Sequence, residues 1–489
     1  MDVKTSTSKV PSLYDKCMMR TLANFKEGFW RGNRANPFVL VPSDIVDDLV
    51  RIRDDLCPGL RPSIAQMHLL FSSGRLTIFD LIGLFGDCIF PLSTEVVRLM
   101  TPDVCRNLRD ITIPFLYTEV IPKLLECPNL EVLRTQNVFR LRLLKNCPNL
   151  CIIRIHDKHA VKLLKCPWNF EDLPFFGKSL EIFDVFRMIT PNDELYKVLA
   201  QIFLNSPKLI SLGLIDTSLA LHSIHELYGT NDPPQFVLKR AFWGTADDAD
   251  PGDIPPYHAQ YPTIIKQAVF SCPLLQELII QVFHMDCVPH LSHLKHLSVL
   301  SINFAYCDED SNSAFLNLLR DIGYHLRHLS VETGFALPVN TVLKLCPCLE
   351  TLVVCGSVTV SRPVQTLNSL QCLKRLKVNS IDKPGLIFVF SHCFGLEDVF
   401  THYALDFDDD SLEKILKKNR LPNLKSLHIT SPNLTYRGLQ KLLDTLPSLK
   451  NVYVPCHKSL VFTSRGPIRT NLYTKKPDYF SFLMDKHRF

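Results

Sequence analysis

Cys127 to Leu133 reads CPNLEVL, and the chain then writes nearly the same phrase many times over. Cys147 opens CPNLCII, Ser206 opens SPKLISLGL, and Cys272 opens CPLLQELII. Cys346 opens CPCLETLVV, Leu421 opens LPNLKSLHI, and Leu446 opens LPSLKNVYV. A phrase that returns at a steady interval marks a solenoid, in which each unit buries its apolar face against its neighbours.

The first Leu of each Leu-x-x-Leu unit serves as an anchor. The anchors are Leu108, Leu130, Leu150, Leu180, Leu209, Leu275, Leu294, Leu326, Leu349, Leu373, Leu396, Leu424 and Leu449. Most steps between them are roughly 20–30 residues. The long step from Leu209 to Leu275 holds a degraded unit, PPQFVLKRAFW (Pro233 to Trp243), and an insertion near 229–262 rich in Pro, Gly and Asp. In Leu349 to Val354, Leu349, Leu352 and Val354 should face inward, with Thr351 and Val353 alternating outward on a short strand. Helical patterns precede the strands at YTEVIPKLLE (Tyr117 to Glu126), SLEKILKKN (Ser411 to Asn419) and YRGLQKLLDTL (Tyr436 to Leu446). The Pro that follows cannot continue a helix, so it separates helix from strand.

This pattern resembles the leucine-rich repeats of intracellular ubiquitin-ligase receptors, over roughly residues 105 to 456. The resemblance implies an α/β solenoid, a horseshoe with parallel strands on the concave face and helices on the convex one. The expected layout has a helical module at 1–56 and a helical cap of the solenoid at 57–105. About thirteen repeats follow over 106–456, with a terminal cap or tail at 457–489.

Composition is that of an ordinary globular chain: 489 residues, 46% hydrophobic and 21% charged, with a net charge of +5 spread without basic runs. That balance argues against a nucleic-acid or membrane partner. The N-terminus lacks an apolar signal core, and the longest apolar stretch, Leu81 to Leu92, is short and interrupted by Asp87. Seventeen cysteines, many at repeat positions, fit reduced thiols used as small hydrophobes. The expectation is a soluble cytoplasmic or nuclear protein.

The first fifty residues follow another design. Ser12 and Asp15 open one helix, whose apolar stripe includes Leu13, Cys17 and Leu22. Val41-Pro42-Ser43-Asp44 opens a second, with Ser43 as its cap and Ile45, Leu49 and Ile52 on one face. In order, the two resemble the elongin-BC box and the cullin-2 box of von Hippel–Lindau-type substrate receptors. Leu13 and Cys17 match the first box, whose last aliphatic place holds Thr21, with Leu22 one step later. Val41, Pro42, Ile45 and Leu49 match the second. The resemblance implies elongin binding through Leu13, Cys17 and Leu22, and cullin-2 binding through Pro42, Ile45 and Leu49. Two other readings stay open: an F-box adaptor of a different cullin ligase, and a plain cap on the solenoid. Pro58 and Pro62 break the three-helix pattern that an F-box would need.

Motifs of chemistry are missing from the sequence. It has no phosphate-cradling glycine loop, no Gly-x-Ser-x-Gly and no His-Glu-x-x-His. His290, His293 and His296 alternate with apolar Leu291, Leu294 and Leu297 and read as the polar face of a repeat. The acidic run at Asp406 to Asp410 suits a helix N-terminus. The expectation is a non-enzyme that needs no cofactor and no metal. Register puts Arg134, Arg154, His156, His328, Glu332, Arg375, Lys377, Phe400, His402, His428 and Tyr453 on the outward strand positions, where a protein partner would bind.

Overall fold

A computed structural model describes residues 12–32, 35–51, 64–80, 106–113, 127–135, 141, 144, 147–156, 177–186, 193–229, 233–244, 258–304, 307, 311–361 and 371–454. The pattern YTEVIPKLLE, residues 230–232 and 245–257 of the insertion and the tail 457–489 lie outside them. The chain divides into two compact units, Met1–Ile215 and Asp216–Phe489.

The first unit opens with three helices: α1 (Leu13–Lys26), α2 (Ser43–Arg51) and α3 (Ile64–Phe71). Six strands follow: β1 (Ile78–Asp80), β2 (Asp110–Ile113), β3 (Val132–Thr135), β4 (Ile152–His156), β5 (Ile182–Phe186) and β6 (Ser211–Asp216). Each pairs in parallel with the next. The ladder therefore begins inside the segment 57–105, which the sequence had suggested to be a helical cap. Leu76 and Phe79 are the buried apolar pair of this earlier repeat.

The second unit carries β7 (Arg240–Trp243), β8 (Glu277–Gln281), β9 (Val299–Asn303), β10 (His328–Glu332), β11 (Leu337–Pro338), β12 (Thr351–Thr359), β13 (Arg375–Ile381), β14 (Asp398–Tyr403), β15 (Ser426–Ile429) and β16 (Asn451–Tyr453). Apart from β11, which pairs with the far end of β12, each strand lies parallel to its neighbours in chain order. Parallel neighbours joined by helices, such as Asp193–Asn205 in the first unit and Tyr261–Ser271, Ser311–Ile322, Lys383–His392, Asp409–Lys418 and Tyr436–Thr445 in the second, make both units α/β leucine-rich-repeat stacks. The degraded unit is a true repeat, with Leu238 as its buried anchor and β7 as its strand.

The Cys-Pro-x-Leu phrase is a β-turn. The Leu130 amide donates to the Cys127 carbonyl at 3.2 Å, and Leu150 to Cys147 at 3.2 Å. The same bond recurs from Leu209 to Ser206, Leu275 to Cys272 and Leu349 to Cys346. Pro in second place presets the backbone angle such a turn requires. The Cys ahead of it is buried at Cys127, Cys147, Cys272 and Cys346, and burial pushes the Cys147 thiol up to about 11 and Cys346 up to about 12. These thiols are small apolar plugs.

The anchors are buried, except Leu449 at the last strand, which is half-buried. One anchor needs moving. Val299 pairs with His328 and Glu277, so the anchor of β9 is Leu297, two residues ahead of it, and not Leu294. A Leu every third residue in HLSHLKHL made either choice fit the sequence. Each buried Leu contributes roughly 1.5–3 kcal/mol of transfer free energy.

Strand alternation also departs from expectation. Thr351 and Val353 are as buried as Leu352 and Val354. In the register Thr351 lies between His328 and Arg375, and Val353 between Ser330 and Lys377, and a short residue beside a long one loses its solvent. At Gly213 the β5–β6 register shifts and φ is +73; a Cβ there would meet the Val185 amide nitrogen at 2.6 Å. Only glycine fits so close an approach.

Helix starts repeat as regularly as turns. Asp382 accepts from the Gly385 amide at 2.7 Å, Asp408 from Ser411 at 2.9 Å, and Thr435 from Gly438 at 3.4 Å. Asp409 reaches the next repeat, accepting from the Thr435 amide at 2.9 Å and its hydroxyl at 2.5 Å. The acidic run therefore caps one helix and ties it to the next.

Candidate functional site

Two surfaces offer themselves to a partner, one in each unit. On α1, Ser12 and Asp15 form a reciprocal box: the Asp15 amide donates to the Ser12 hydroxyl at 3.1 Å, and the Ser12 amide to the Asp15 carboxylate at 2.9 Å. This fixes the first turn and with it two stripes one residue apart. Met18 and Leu22 are buried, and Tyr14 donates its hydroxyl to Asp48 of α2 at 2.6 Å. Leu13, Cys17 and Thr21 form the other stripe. Leu13 is 79% exposed and Cys17 is exposed, while the Thr21 hydroxyl is spent on the Cys17 carbonyl at 2.9 Å. Leu22 is only 2% exposed and so belongs to the inner stripe rather than to a contact surface.

Helix α2 shows the same division. The Val46 amide donates to the Pro42 carbonyl at 3.1 Å, so Pro42 rather than Ser43 stands at the cap position. Pro42 is exposed and Ile45 half-buried, whereas Leu49 packs inward with Val46 and Val50. Leu49 is therefore a core residue here. Buried Asp47 accepts from the Thr77 amide at 2.9 Å, the Thr77 hydroxyl at 2.5 Å and the Ile78 amide at 3.1 Å. A carboxylate on α2 thus holds the first strand of the ladder. Asn36 adds a second tie, donating to the Leu69 carbonyl of α3 at 2.6 Å. Around this anchored base, Leu13, Tyr14, Phe29, Val39 and Leu40 all remain exposed, Leu40 at 88%. Large apolar side chains left in water on an otherwise packed module mark an interaction site.

The open sheet face of the first unit is less available than its sequence suggests. Arg134 pairs with Asp110 at 2.5 Å, and Arg154 with its register neighbour Asp184 at 3.5 Å. Asp184 also accepts from the Ser211 hydroxyl at 2.5 Å. These arginines are held by strand neighbours, a pairing that sequence cannot reveal without the register. His156 closes β4, and its side chain lies outside the described residues.

In the second unit the register brings Lys377, Phe400, His428 and Tyr453 side by side on β13 to β16. They form a continuous ladder. The Lys377 ammonium lies 5.6 Å from the Phe400 centroid. Phe400 and His428 centroids are 4.2 Å apart with planes at 32°, and His428 stacks on Tyr453 at 4.3 Å and 26°. His402, two residues along β14, meets the Phe400 ring edge-on at 5.1 Å. Burial, with a smaller contribution from His402, drives the His428 ring down to about 4, so it is neutral near pH 7. Arg375 forms an exposed pair with Asp398 at 3.5 Å at the ladder's margin. Tyr403, the last residue of β14, and Leu405, two residues on, are also exposed. Sequence reading missed both: Tyr403, whose ring lies 5.9 Å from that of His402, falls one step off the alternation that picks out Phe400 and His402. A flat row of rings flanked by cations suits capture of a protein segment, through stacking and cation–π contact.

Among the described residues, no group of three or more His, Cys, Asp or Glu is arranged to hold a metal ion. Among them, too, no helix is long and apolar enough to cross a membrane.

No family model matches the chain, and no curated protein matches it. Among solved structures, the chain is similar to the Leptospira interrogans LRR protein LIC12759 at 14% identity and a TM-score of 0.39, covering 84% of this chain and 97% of that one. It is also similar to a chain of the yeast Rad7 and Elc1 complex at 13% identity and a TM-score of 0.41, covering 91% and 98%. Superpositions this loose bear on neither function nor partner.

Proposed function

We propose that the chain is the substrate-recognition subunit of an elongin-BC–cullin-2 ubiquitin ligase, acting in the cytoplasm or nucleus. Elongin C would take Leu13 and Cys17, and cullin-2 would meet the exposed start of α2 at Pro42 and Ile45. The aromatic ladder of β13 to β16 would hold the target. The subunit supplies proximity rather than chemistry: a target held beside the charged conjugating enzyme reacts at a raised effective concentration. The carrying observation is the split of α1 into a buried stripe and an exposed one. Leu13 and Cys17 are left outside although Met18 and Leu22 on the same helix are buried.

A second reading draws on the Asp47 bonds to Thr77 and Ile78: the N-terminal helices cap the repeats and do nothing more. Co-expression with elongins B and C, and separately with the F-box adaptor, distinguishes the readings. Co-purification with the elongins, lost in Leu13→Ala/Cys17→Ala, is the expected result. Retention of the F-box adaptor alone would move the chain to another ligase class. Retention of neither would leave the cap reading.

A further inference from the structure

The turn that opens a repeat has one position aimed at its predecessor. It lies three residues ahead of the first strand partner, as Asn107 precedes Asp110, Asn129 precedes Val132, Asn149 precedes Ile152 and Asn423 precedes Ser426. Each of these side-chain amides donates to the preceding turn: to the Gly74 carbonyl at 2.6 Å, Arg106 at 2.8 Å, Pro128 at 3.2 Å and Phe394 at 3.3 Å. A side chain at this position therefore lies against the neighbouring turn.

In the turns that open β12 and β13 the position holds cysteine twice. Cys348 and Cys372 stand three residues ahead of the register partners Thr351 and Arg375. The backbones run together there, with the Lys374 and Arg375 amides donating to the Glu350 carbonyl at 2.9 and 3.0 Å. The paired strands that these turns open lie roughly 4.8 Å apart, a spacing within the Cα span of about 4.4–6.8 Å that a disulfide bridges. Both thiols are exposed. Buried Cys346, two residues from Cys348, is pushed up to about 12 and stays a protonated, unreactive plug.

We propose that Cys348 and Cys372 form a surface dithiol site, oxidised reversibly to an intramolecular disulfide by exchange with a small disulfide such as oxidised glutathione. One cysteine thiolate attacks a glutathione sulfur, breaking its S–S bond and releasing one glutathione thiolate. The second cysteine thiolate attacks the protein sulfur of the mixed disulfide and expels the other glutathione. Two protein thiols are oxidised, one small disulfide is reduced, and the two protons pass to the released thiolates. The bridge would staple the opening turns of β12 and β13, the latter carrying Arg375 and Lys377 of the ring-and-cation surface.

Incubation of the folded full-length chain with oxidised glutathione, then alkylation and a non-reducing peptide map, tests the site. The expected product joins the Cys348 and Cys372 peptides, has lost two hydrogens, and reverts on reduction. Cys372→Ser should leave glutathione trapped on Cys348, a readout that needs no bridge. Separate glutathione adducts on both cysteines of the wild type would overturn the proposal, as would no reaction at either or a bridge to another cysteine. An unchanged melting profile for Cys348→Ser/Cys372→Ser shows that the fold does not depend on the pair.

Discussion

The Tyr14 hydroxyl of α1 donates to the Asp48 carboxylate of α2 at 2.6 Å, binding together the two helices that carry the candidate ligase contacts. The bond, with burial and the nearby carboxylates adding to it, pushes the phenol up to about 12. A folded pKa above the unfolded value means that the tie is complete below pH 10 and is lost as pH rises towards 12. The difference absorbance titration between wild type and Tyr14→Phe should show one phenol ionising near pH 12. A lost transition at pH 10 would mean that the bond does not form in solution.

Removing the Asp47 carboxylate should detach the N-terminal helices from the ladder. Asp47→Ala leaves the Thr77 and Ile78 amides without their acceptor, at a cost of about 2 kcal/mol or more for bonds to a buried charged group. Hydrogen exchange at α2 and β1 should speed up, while exchange in β12 to β16 is unchanged. Uniform acceleration across the chain would contradict a local anchor.

The stacked His428 and Tyr453 rings should be coupled. A double-mutant cycle with His428→Ala and Tyr453→Ala is expected to give about 0.5–1.5 kcal/mol by denaturant unfolding. His428 is driven below its ordinary value, so its contribution is present above pH 6.5 and is lost as pH falls towards 4. His428→Phe should flatten the pH dependence of stability in that window. An additive cycle would show that the rings are neighbours without interaction.

Buried Asp216 behaves in the opposite sense. Burial pushes its carboxyl up to about 7, against the pull of the Ser218 hydroxyl and amide. Its contribution is present below about pH 4 and is lost as pH rises through 7. Asp216→Asn can still accept from the Ser218 amide, now at 2.8 Å. It should raise the unfolding midpoint at pH 8 by more than at pH 5. An equal effect at both would show that the carboxyl titrates normally.

Sequence made the repeats legible because a buried Leu and a Pro-led turn are both local demands, each visible at Leu130 and Pro128 without the rest of the chain. What it hid depends on neighbours. Arg154 reads as a free cation until the register sets Asp184 beside it, and Val353 reads as exposed until Lys377 lies alongside. The repeat at Leu76 lacks the Cys-Pro phrase and carries Phe79 where the second Leu would stand, so it left no mark. Motif matching also placed Leu22 and Leu49 on contact surfaces, since a linear pattern cannot tell which stripe of a helix has a core to face. Lys377, Phe400, His428 and Tyr453 were each legible as outward strand positions, but the continuity of their ladder follows from strand pairing alone.

Equilibrium affinity of the purified chain for the elongin B–C heterodimer, measured by titration calorimetry, tests the central claim most directly. Leu13→Ala/Cys17→Ala should weaken it by roughly 30-fold or more, the loss of about 2 kcal/mol expected of a central anchor. Leu22→Ala should instead lower the melting temperature, as the loss of a core residue does. Equal affinity for the wild type and the double variant, or no measurable binding by either, would contradict the account.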